Sequence, residues 1–296
     1  MTTEHRCGQV AIVGRPNVGK STLLNALVGT KVSIVTPKPQ TTRNRIAGIR
    51  TQPGVQLVFL DTPGMHSPRS PFNRRLVQVA RETLANADVA LVVLDATAGV
   101  TAADASLLDE VVRACPAIVI ALNKVDAVAK PKLLPLLARL GTGWPDRPIV
   151  PVSARKGTQL EVLLDELAGV LPVGPPLFDA DDYTTASQRF LTQELIREQV
   201  FLATEQEIPY GSAVVVDRFV DDPARELVVI SATILVERTN HRGILIGKGG
   251  QRLKTIGQAA RLAIEALLER HVFLELYVRV EPAWTRRRDR LAELEL

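Results

Sequence analysis

The sequence has only two cysteines, few aromatic residues and no long apolar run. Cys7 and Cys115 are far apart among 296 residues, so we expect no disulfide framework. No apolar stretch approaches the ~20 residues of a membrane span, and the first seven residues are polar, so we expect no secretory signal. The four histidines are scattered and make no metal site with the cysteines. These shortages predict a protein of the reducing cytoplasm.

Positive charge is unevenly distributed, although the net charge is only +4. Residues 1–172 contain 20 Lys and Arg against 13 Asp and Glu, whereas residues 173–296 contain 16 against 19. Any binding of nucleic acid by the second part therefore has to depend on a local basic patch. The length and the 46% content of hydrophobic residues predict two domains, each with its own core.

The stretch 14–21, Gly-Arg-Pro-Asn-Val-Gly-Lys-Ser, fits the phosphate-loop pattern G-x-x-x-x-G-K-[ST]. It lies between an apolar run at 10–13, which predicts a strand, and a helical pattern at 22–28. The loop N–H groups would face a phosphate chain. The ammonium group of Lys20 would pair with the terminal phosphates, and the hydroxyl of Ser21 would be a ligand of Mg²⁺. A nucleotide site is therefore predicted here.

Two further segments suit the sensing of a third phosphate. The loop 36–43 contains two prolines, and we favour Thr42 as a magnesium ligand that binds only while that phosphate is present. The alternative is a plain surface loop. Asp61 ends a predicted strand at 55–60 and can hold magnesium through water. The N–H of Gly64 can then meet the third phosphate, so Lys20, Thr42 and Gly64 are the predicted catalytic residues.

The segment Asn123-Lys124-Val125-Asp126 follows a predicted strand and selects the base. The Asp126 carboxylate is an acceptor, so it can pair with the two adjacent donors of guanine. Asn123 can reach the other edge of guanine and tie to the phosphate loop, and the Lys124 stem can cover the ring. The N–H of Ala154 can bond the guanine carbonyl.

These motifs together define the predicted nucleotide site, with Ser21, Thr42 and Asp61 as its metal ligands. The predicted nucleotide contacts are Gly14, Arg15, Pro16, Asn17, Val18, Gly19, Lys20, Ser21, Thr22, Asp61, Thr62, Pro63, Gly64, Met65, Asn123, Lys124, Val125, Asp126, Ser153 and Ala154.

The order of elements predicts an α/β domain over residues 6–172. Its strands alternate with helices, so we expect a mostly parallel sheet with helices on both faces and the ligand at the carboxyl ends of the strands. A linker rich in proline and glycine is predicted at 173–187. Residues 188–296 then predict a smaller α+β domain in the order helix, strand, strand, helix, helix, strand.

The stretch Gly247-Lys248-Gly249-Gly250 joins the two adjacent helices and fits the GxxG loop of KH domains, which clamps a nucleic-acid backbone. Between residues 238 and 261 there are six basic residues and no acidic one, a patch that can attract phosphates. The alternative is a glycine-rich turn with solvated lysines. The predicted RNA contacts are Arg242, Gly247, Lys248, Gly249, Gly250, Arg252 and Lys254. For the tail with Arg286, Arg287, Arg288 and Arg290 we prefer a solvated helix over an RNA or membrane contact.

These motifs, with Gln40-Thr41-Thr42-Arg43 and Asp61-Thr62-Pro63-Gly64-Met65, resemble the Era family of P-loop GTPases, and the second domain resembles its KH domain of the second topological type. The resemblance implies binding of GTP or GDP with Mg²⁺ and hydrolysis of GTP. It implies a role in maturing the small (30S) ribosomal subunit through the 3′ region of 16S rRNA, and peripheral contact with the inner membrane face. We expect a monomer. The competing hypothesis is a membrane-associated signalling GTPase whose KH fold contacts proteins.

One position departs from Ras-like GTPases, in which a glutamine after D-x-x-G orients the attacking water. Met65 has no group for that task, so we expect a slow basal rate. The positive charge that an arginine finger would bring could come from a potassium ion beside the amide oxygen of Asn17. Alternatively, Asn17 simply tolerates the turn, and the sequence leaves both possibilities open.

Overall fold

The structure is a computed structural model that describes residues 4–39, 41–65 and 71–294, without the side chains of residues 71–73, 288 and 292. The chain forms two compact units. The first contains the residues up to Ser33 together with Thr42–Thr185, and the second contains Ile34–Thr41 together with Ala186–Leu296. Residues 34–41 thus group with the carboxyl-terminal part of the chain, and most of the predicted linker groups with the first unit.

The first unit is built on a six-stranded sheet in the order β2-β3-β1-β4-β5-β6. β2 runs antiparallel to β3, and the other neighbours are parallel. The predicted mostly parallel sheet is therefore confirmed. The strands are β1 (Arg6–Val13), β2 (Ile46–Gln52), β3 (Val55–Asp61), β4 (Val89–Asp95), β5 (Ala117–Asn123) and β6 (Ile149–Pro151), and the helices are α1 (Lys20–Val28), α2 (Pro71–Ala85), α3 (Ala102–Ala114), α4 (Lys130–Gly143) and α5 (Leu160–Val170).

The core of this unit lies on both faces of the sheet, because successive strand side chains point to opposite sides. Val10 and Ile12 of β1 pack in one cluster with leucines of α1 and α5. Ala11 and Val13 pack in a second cluster with apolar residues of α2, α3 and α4. The predicted helices on both faces are confirmed, and the phosphate loop follows directly from this buried strand.

β2 was missing from the strands that the sequence predicted. Its two buried isoleucines, Ile46 and Ile49, are three positions apart and do not show the alternation that marks a half-buried strand. Residues 46–52 form a strand because they pair with β3, not because of an apolar pattern. The chain turns from β2 into β3 at Gly54, which has φ of 79°. Such an edge hairpin depends on a contact that local sequence does not reveal.

The predicted linker at 173–187 is bonded to the first unit over much of its length. The buried side chain of Gln56 accepts hydrogen bonds from the N–H groups of Leu177 (2.7 Å) and Phe178 (3.0 Å). Farther along, Thr184 donates its hydroxyl to the carbonyl of Ala47 at 2.6 Å. These bonds fasten the segment to the edge of the sheet.

The second unit follows the predicted order of helix, strand, strand, helix, helix, strand. Its sheet has the order β7-β8-β9, with β7 and β8 antiparallel and β8 and β9 parallel. This arrangement confirms the KH fold of the second topological type. Its elements are α6 (Gln188–Ala203), β7 (Ser212–Asp222), β8 (Leu227–Val236), α7 (Thr239–Ile246), α8 (Gln251–Leu268), β9 (His271–Val280) and a short terminal helix α9 (Arg288–Glu293).

Residues 34–41 pack on α6 within this second unit. The N–H of Val35 donates to Glu198 Oε1 at 2.9 Å, and the guanidinium of Arg197 donates to the carbonyl of Thr41 at 2.6 Å. Both side chains are buried on α6. The buried charges of this helix thus bind the backbone of residues 34–41.

The carboxyl-terminal tail is anchored by a tryptophan. Trp284 is fully buried, and its indole N–H donates to the carbonyl of Gly211 at 3.1 Å. Arg290 pairs with Glu281 at 2.8 Å, and Arg287 pairs with Asp289 at 2.6 Å. Two arginines of this tail are therefore paired with nearby carboxylates.

Candidate nucleotide and nucleic-acid sites

The phosphate loop joins β1 to α1, as the sequence predicts, and its glycine at position 19 is required by shape. Gly19 has φ of 100°, and a Cβ there would lie 2.5 Å from Asn123 Nδ2. The buried Lys20 Nζ donates to the carbonyls of Gly14 (3.2 Å) and Arg15 (3.1 Å). The loop carbonyls therefore fix the ammonium at the place where terminal phosphates would bind.

Four oxygen atoms converge at the predicted magnesium site. Oδ2 of Asp61 accepts hydrogen bonds from the hydroxyls of Ser21 (2.7 Å), Thr42 (3.1 Å) and Ser33 (3.0 Å). The hydroxyls of Ser21 and Thr42 are themselves 2.9 Å apart. Mg²⁺ prefers such oxygen ligands, so the residues fit this ion. Ser33 was missed because nothing in the sequence around it marks a ligand.

Burial governs the electrostatics of this site. Loss of solvent lowers the pKa of Lys20 to about 8, with nearby Asp61 acting in the opposite direction. Burial also raises the pKa of Asp61, which Lys20 and the three hydroxyls partly offset. Oδ1 of Asp61 is buried and has no hydrogen-bond partner among the described residues. A buried carboxylate of this kind favours a bound cation.

The predicted base-recognition residues are tied to the phosphate loop and to the segment that follows β6. Asn123 donates from Nδ2 to the carbonyl of Val18 at 2.9 Å and accepts at Oδ1 from the N–H of Ala154 at 3.0 Å. Ser153 donates its hydroxyl to Asp126 Oδ1 at 2.7 Å. This bond orients the carboxylate that is predicted to pair with guanine.

Lys124 bridges the base motif and the phosphate loop. Its Nζ donates to the carbonyl of Asn17 and to Asp95 Oδ2, both at 2.6 Å. Lys124 and Asn17 both have left-handed backbone conformations, with φ of 66° and 64°. The conformation of Asn17 agrees with the view that asparagine tolerates the turn. Asp95 was missed by the sequence analysis, although its place at the carboxyl end of β4 could have drawn attention to it.

The D-x-x-G segment lies against the phosphate loop. Met65 donates its N–H to the carbonyl of Gly14 at 3.2 Å, while its side chain is buried in the core that packs against α2 and α3. Thr62 donates its hydroxyl to the carbonyl of Ile12 at 2.8 Å, a bond that holds the segment to β1. Residues 66–70, which follow this segment, lie outside the described residues.

Some predicted nucleotide contacts have side chains that face the core. Val18 is buried in the cluster with α1, and Val125 packs against the cluster with α4. With Met65, these residues can offer only backbone groups to a nucleotide. Thr22 lies in the first turn of α1 and is half-buried. The pattern of the motifs does not distinguish such packing positions from ligand positions.

In the second unit the GxxG loop joins α7 to α8, as predicted. Gly247 has φ of 73°, and a Cβ there would lie 2.8 Å from the Cβ of Arg252. Arg252 donates to the carbonyl of Ile244 near the end of α7 at 2.7 Å. Arg242, Lys248 and Lys254 are exposed. Flexible cations thus surround a loop that a phosphate backbone can approach closely.

A groove of about 410 Å³ lies beside this loop, between α8 and β9. Its apolar lining includes Leu253, Leu274 and Leu276, and its polar residues include Gln258 and Arg261. The sequence predicts the cations beside this groove. Its apolar lining was missed, although Leu274 and Leu276 follow the alternation of β9. A groove with apolar walls and cationic rims suits unstacked bases and their phosphates.

The first unit has its phosphate loop, oxygen cluster and predicted base-recognition motif at one edge of a mostly parallel sheet, which defines a P-loop GTPase, and the second unit is a KH domain. A family model described as a 50S ribosome-binding GTPase matches residues 9–124, and the KH domain model matches residues 207–285. The chain belongs to the Era family of GTPases.

Relatives support this membership over nearly the full chain. GTPase Era of Syntrophus aciditrophicus is 46% identical over 281 residues, which cover 95% of this chain and 92% of the relative. GTPase Era of Geotalea uraniireducens is 46% identical over 282 residues, which cover 95% of each chain.

Two solved Era structures are similar over 98% of this chain and 98% of their own, each at 40% identity. One is an Aquifex aeolicus Era variant bound to GDP and AlF4⁻, with a TM-score of 0.93. The other is Era in complex with MgGDPNP and nucleotides 1506–1542 of 16S ribosomal RNA, with a TM-score of 0.94. Over residues 4–39, 41–65 and 71–294, no helix combines the length and apolar composition that a bilayer span needs.

Proposed function

We propose that this GTPase is a GTP-driven switch on small-subunit ribosomal RNA, and that the two sites described above carry its two activities. GTP and GDP bind with Mg²⁺ in the first unit, where GTP is hydrolysed. The KH domain binds 16S rRNA near its 3′ end and thereby assists assembly of the 30S subunit. The observation that carries this proposal is the similarity, over 98% of both chains, to Era in complex with MgGDPNP and 16S rRNA.

The oxygen cluster supports the assignment of the metal ligands. We assign Ser21 and Thr42 as direct ligands of Mg²⁺ and Asp61 as a ligand through water. When bound, Mg²⁺ neutralises charge that develops on the phosphates. Lys20 binds the terminal phosphates, and the N–H of Gly64 meets the third. Because the hydroxyls of Ser21 and Thr42 are 2.9 Å apart, both can turn toward one ion.

The geometry of Asp126 supports guanine as the base. The hydroxyl of Ser153 donates to Oδ1 of Asp126, and the remaining acceptor positions of the carboxylate can pair with the donors of guanine. Lys124 covers the ring with its stem, since its Nζ is fixed at Asn17. Adenine lacks the adjacent donor pair and would leave the carboxylate unpaired. A site of this kind typically discriminates against the wrong base by ~10⁴-fold.

The KH domain supports binding of a single strand rather than a duplex. The exposed Lys248 and Lys254 would contact phosphates, while bases enter the groove beside them. The GTPase family model mentions the 50S subunit, but it covers only residues 9–124. The assignment to the small subunit rests on the solved Era complex with 16S rRNA.

Replacing Lys248 and Gly249 by Asp tests the RNA site. Two carboxylates would repel the phosphate path, so we expect RNA containing the 16S 3′ region to bind at least about tenfold more weakly at physiological salt. The rate of GTP hydrolysis without RNA should stay unchanged.

The first unit offers a matched control at Lys156 and Gly157. Gly157 also has a positive φ (71°) and open space around its Cα, as Gly249 has. Replacing this pair by Asp makes the same change of charge outside the KH domain and should leave RNA affinity intact. Equal weakening by both variants would contradict the assignment of the RNA site.

Location in the cytoplasm, with peripheral contact at the inner membrane face, stays a prediction, as does the monomeric state. In the competing hypothesis the KH fold of a membrane-associated signalling GTPase contacts proteins. Vesicle flotation of the purified chain, with and without rRNA, separates the two. Binding to vesicles that survives the Lys248 and Gly249 substitutions, without RNA binding by the unmodified chain, would favour signalling at the membrane.

A further inference from the structure

The arginine of the phosphate loop is held by a carboxylate on α3. Arg15 Nε donates to Asp104 Oδ1 at 2.6 Å, and its terminal NH2 group donates to Oδ2 at 3.0 Å. Two parallel bonds of this kind fix the plane of a guanidinium as well as its position. The Arg15 side chain is 28% exposed, whereas that of Asp104 is fully buried.

Asp104 is itself rigidly placed. It is the third residue of a capping box whose N-cap is Thr101, and its Oδ2 accepts from the N–H (3.0 Å) and the hydroxyl (2.6 Å) of that threonine. Burial alone would raise the pKa of Asp104, but the bonds from Arg15 and Thr101 hold it below its ordinary value. The carboxylate is therefore ionised and stationary when it binds Arg15.

This pairing determines what Arg15 can do. A guanidinium fixed against α3 cannot swing across the phosphates as an arginine finger without leaving a buried carboxylate unpaired. The backbone of Arg15 has a different task, because its carbonyl accepts from Lys20 Nζ at 3.1 Å. Pro16 follows it and disfavours the helical region for the backbone of Arg15. Arg15 is thus held both by its side chain and by the next residue.

We propose that Asp104 is a positioning residue for the nucleotide site, which acts through Arg15 on the carbonyl that aligns the Lys20 ammonium with the phosphates. Asp104 lies outside every nucleotide-binding motif of the chain, at the start of a helix that contributes none of the predicted nucleotide contacts. The inference deepens the proposed GTP binding and rests on it.

A double-mutant cycle tests this role. Asp104→Asn keeps the volume and one oxygen for Thr101 but removes the charge that binds Arg15, and Arg15→Met keeps an apolar stem without the guanidinium. We expect each to weaken GDP and GTP affinity by about tenfold, the scale of one hydrogen bond to a charged group. The double variant should be no weaker than either single variant. The measurement is the dissociation constant of a fluorescent GDP or GTP analogue.

Thr101→Val is the matched control, since it removes the cap of α3 and leaves the bond from Arg15 Nε to Asp104. Because the bond from the Thr101 N–H to Asp104 Oδ2 also remains, the variant should lower the melting temperature and leave nucleotide affinity nearly unchanged. If Asp104→Asn also lowers only the melting temperature, Asp104 is merely structural and the proposal is wrong.

Two other outcomes are equally decisive. If Arg15→Met reduces the hydrolysis rate by 10³-fold or more while Asp104→Asn leaves it intact, Arg15 acts on the phosphates as a finger, and the positioning role is overturned. Lack of GTP binding by the unmodified chain would instead overturn the proposed function itself. A variant that does not fold is replaced by Arg15→Lys, which can make one of the two bonds and should lose less affinity than Arg15→Met.

Discussion

Asp95 and Lys124 form an ion pair of 2.6 Å that also fixes the phosphate loop, because the same Lys124 Nζ lies 2.6 Å from the carbonyl oxygen of Asn17. Asp95 ends β4 and Lys124 follows β5, so two neighbouring strands of the sheet meet the loop at one ammonium group. Hydrogen bonds from Lys124 and Thr97 outweigh the burial of Asp95 and keep its pKa below the ordinary value.

Asp95→Asn should therefore release GDP faster. The amide retains the shape of the carboxylate but loses the charge that holds Lys124, and a half-exposed pair of this kind is worth up to about 1 kcal/mol. We expect a rise of about threefold in the dissociation rate of a fluorescent GDP analogue, measured by stopped flow. Thr97→Ala, which removes only the bond from its hydroxyl to Asp95, serves as the control and should leave the rate unchanged.

Asp126→Asn should change the preferred base. An amide suits the donors and acceptors of xanthine better than those of guanine, so GTP binding should fall by about 10⁴-fold and XTP binding should appear. Competition of GTP and XTP against a fluorescent nucleotide measures both. Unchanged GTP affinity would refute the assignment of Asp126 to the base.

Nucleotide affinity should decrease at alkaline pH. Lys20 has a pKa of about 8 in the free protein, and phosphates beside its ammonium would raise that value in the complex. Binding then takes up a proton above pH 8, and affinity falls by as much as tenfold for each further pH unit. Calorimetry at pH 9 in two buffers of different ionisation enthalpy measures the uptake. Lys20→Arg should bind more weakly but show no proton uptake in this range.

Hydrolysis should be faster in potassium than in sodium at equal ionic strength. An arginine finger typically contributes 10³–10⁵-fold, Arg15 is engaged by Asp104, and a potassium ion held by the amide oxygen of Asn17 would supply the missing charge. Asn17→Gly suits the φ of 64° and removes only the amide, so it should abolish the difference while GDP affinity stays near normal. Equal rates in the two salts would assign the charge to the RNA or ribosomal partner.

The sequence was sufficient wherever chemistry dictates both residue type and spacing. The phosphate loop, Asp61 and Asn123 all end or follow apolar strands, and a parallel sheet brings such ends together. The GxxG loop was found for the same reason, because the spacing of its glycines is typical of loops that a nucleic-acid backbone approaches closely. These positions depend on local sequence and on one rule of topology.

The missed residues depend on contacts between distant segments. Ser33 reaches Asp61 and Asp104 reaches Arg15, and in each case the partner lies more than 25 positions away in the chain. Serine in a loop and aspartate in the first turn of a helix have ordinary local explanations. Only the folded structure reveals that these oxygens also contact residues of the predicted nucleotide site.

We propose above all that a GTP-dependent switch in this chain acts on the 3′ region of small-subunit rRNA. Cross-linking of the full chain to RNA, with a non-hydrolysable GTP analogue and with GDP, followed by sequencing, tests it most directly. We expect fragments from the 3′ end of 16S rRNA that are more abundant with the GTP analogue and are lost when Lys248 and Gly249 are replaced by Asp. The claim would be contradicted if the cross-linked fragments were not enriched in the 3′ end of 16S rRNA, or if the substituted protein gave the same fragments in equal amounts.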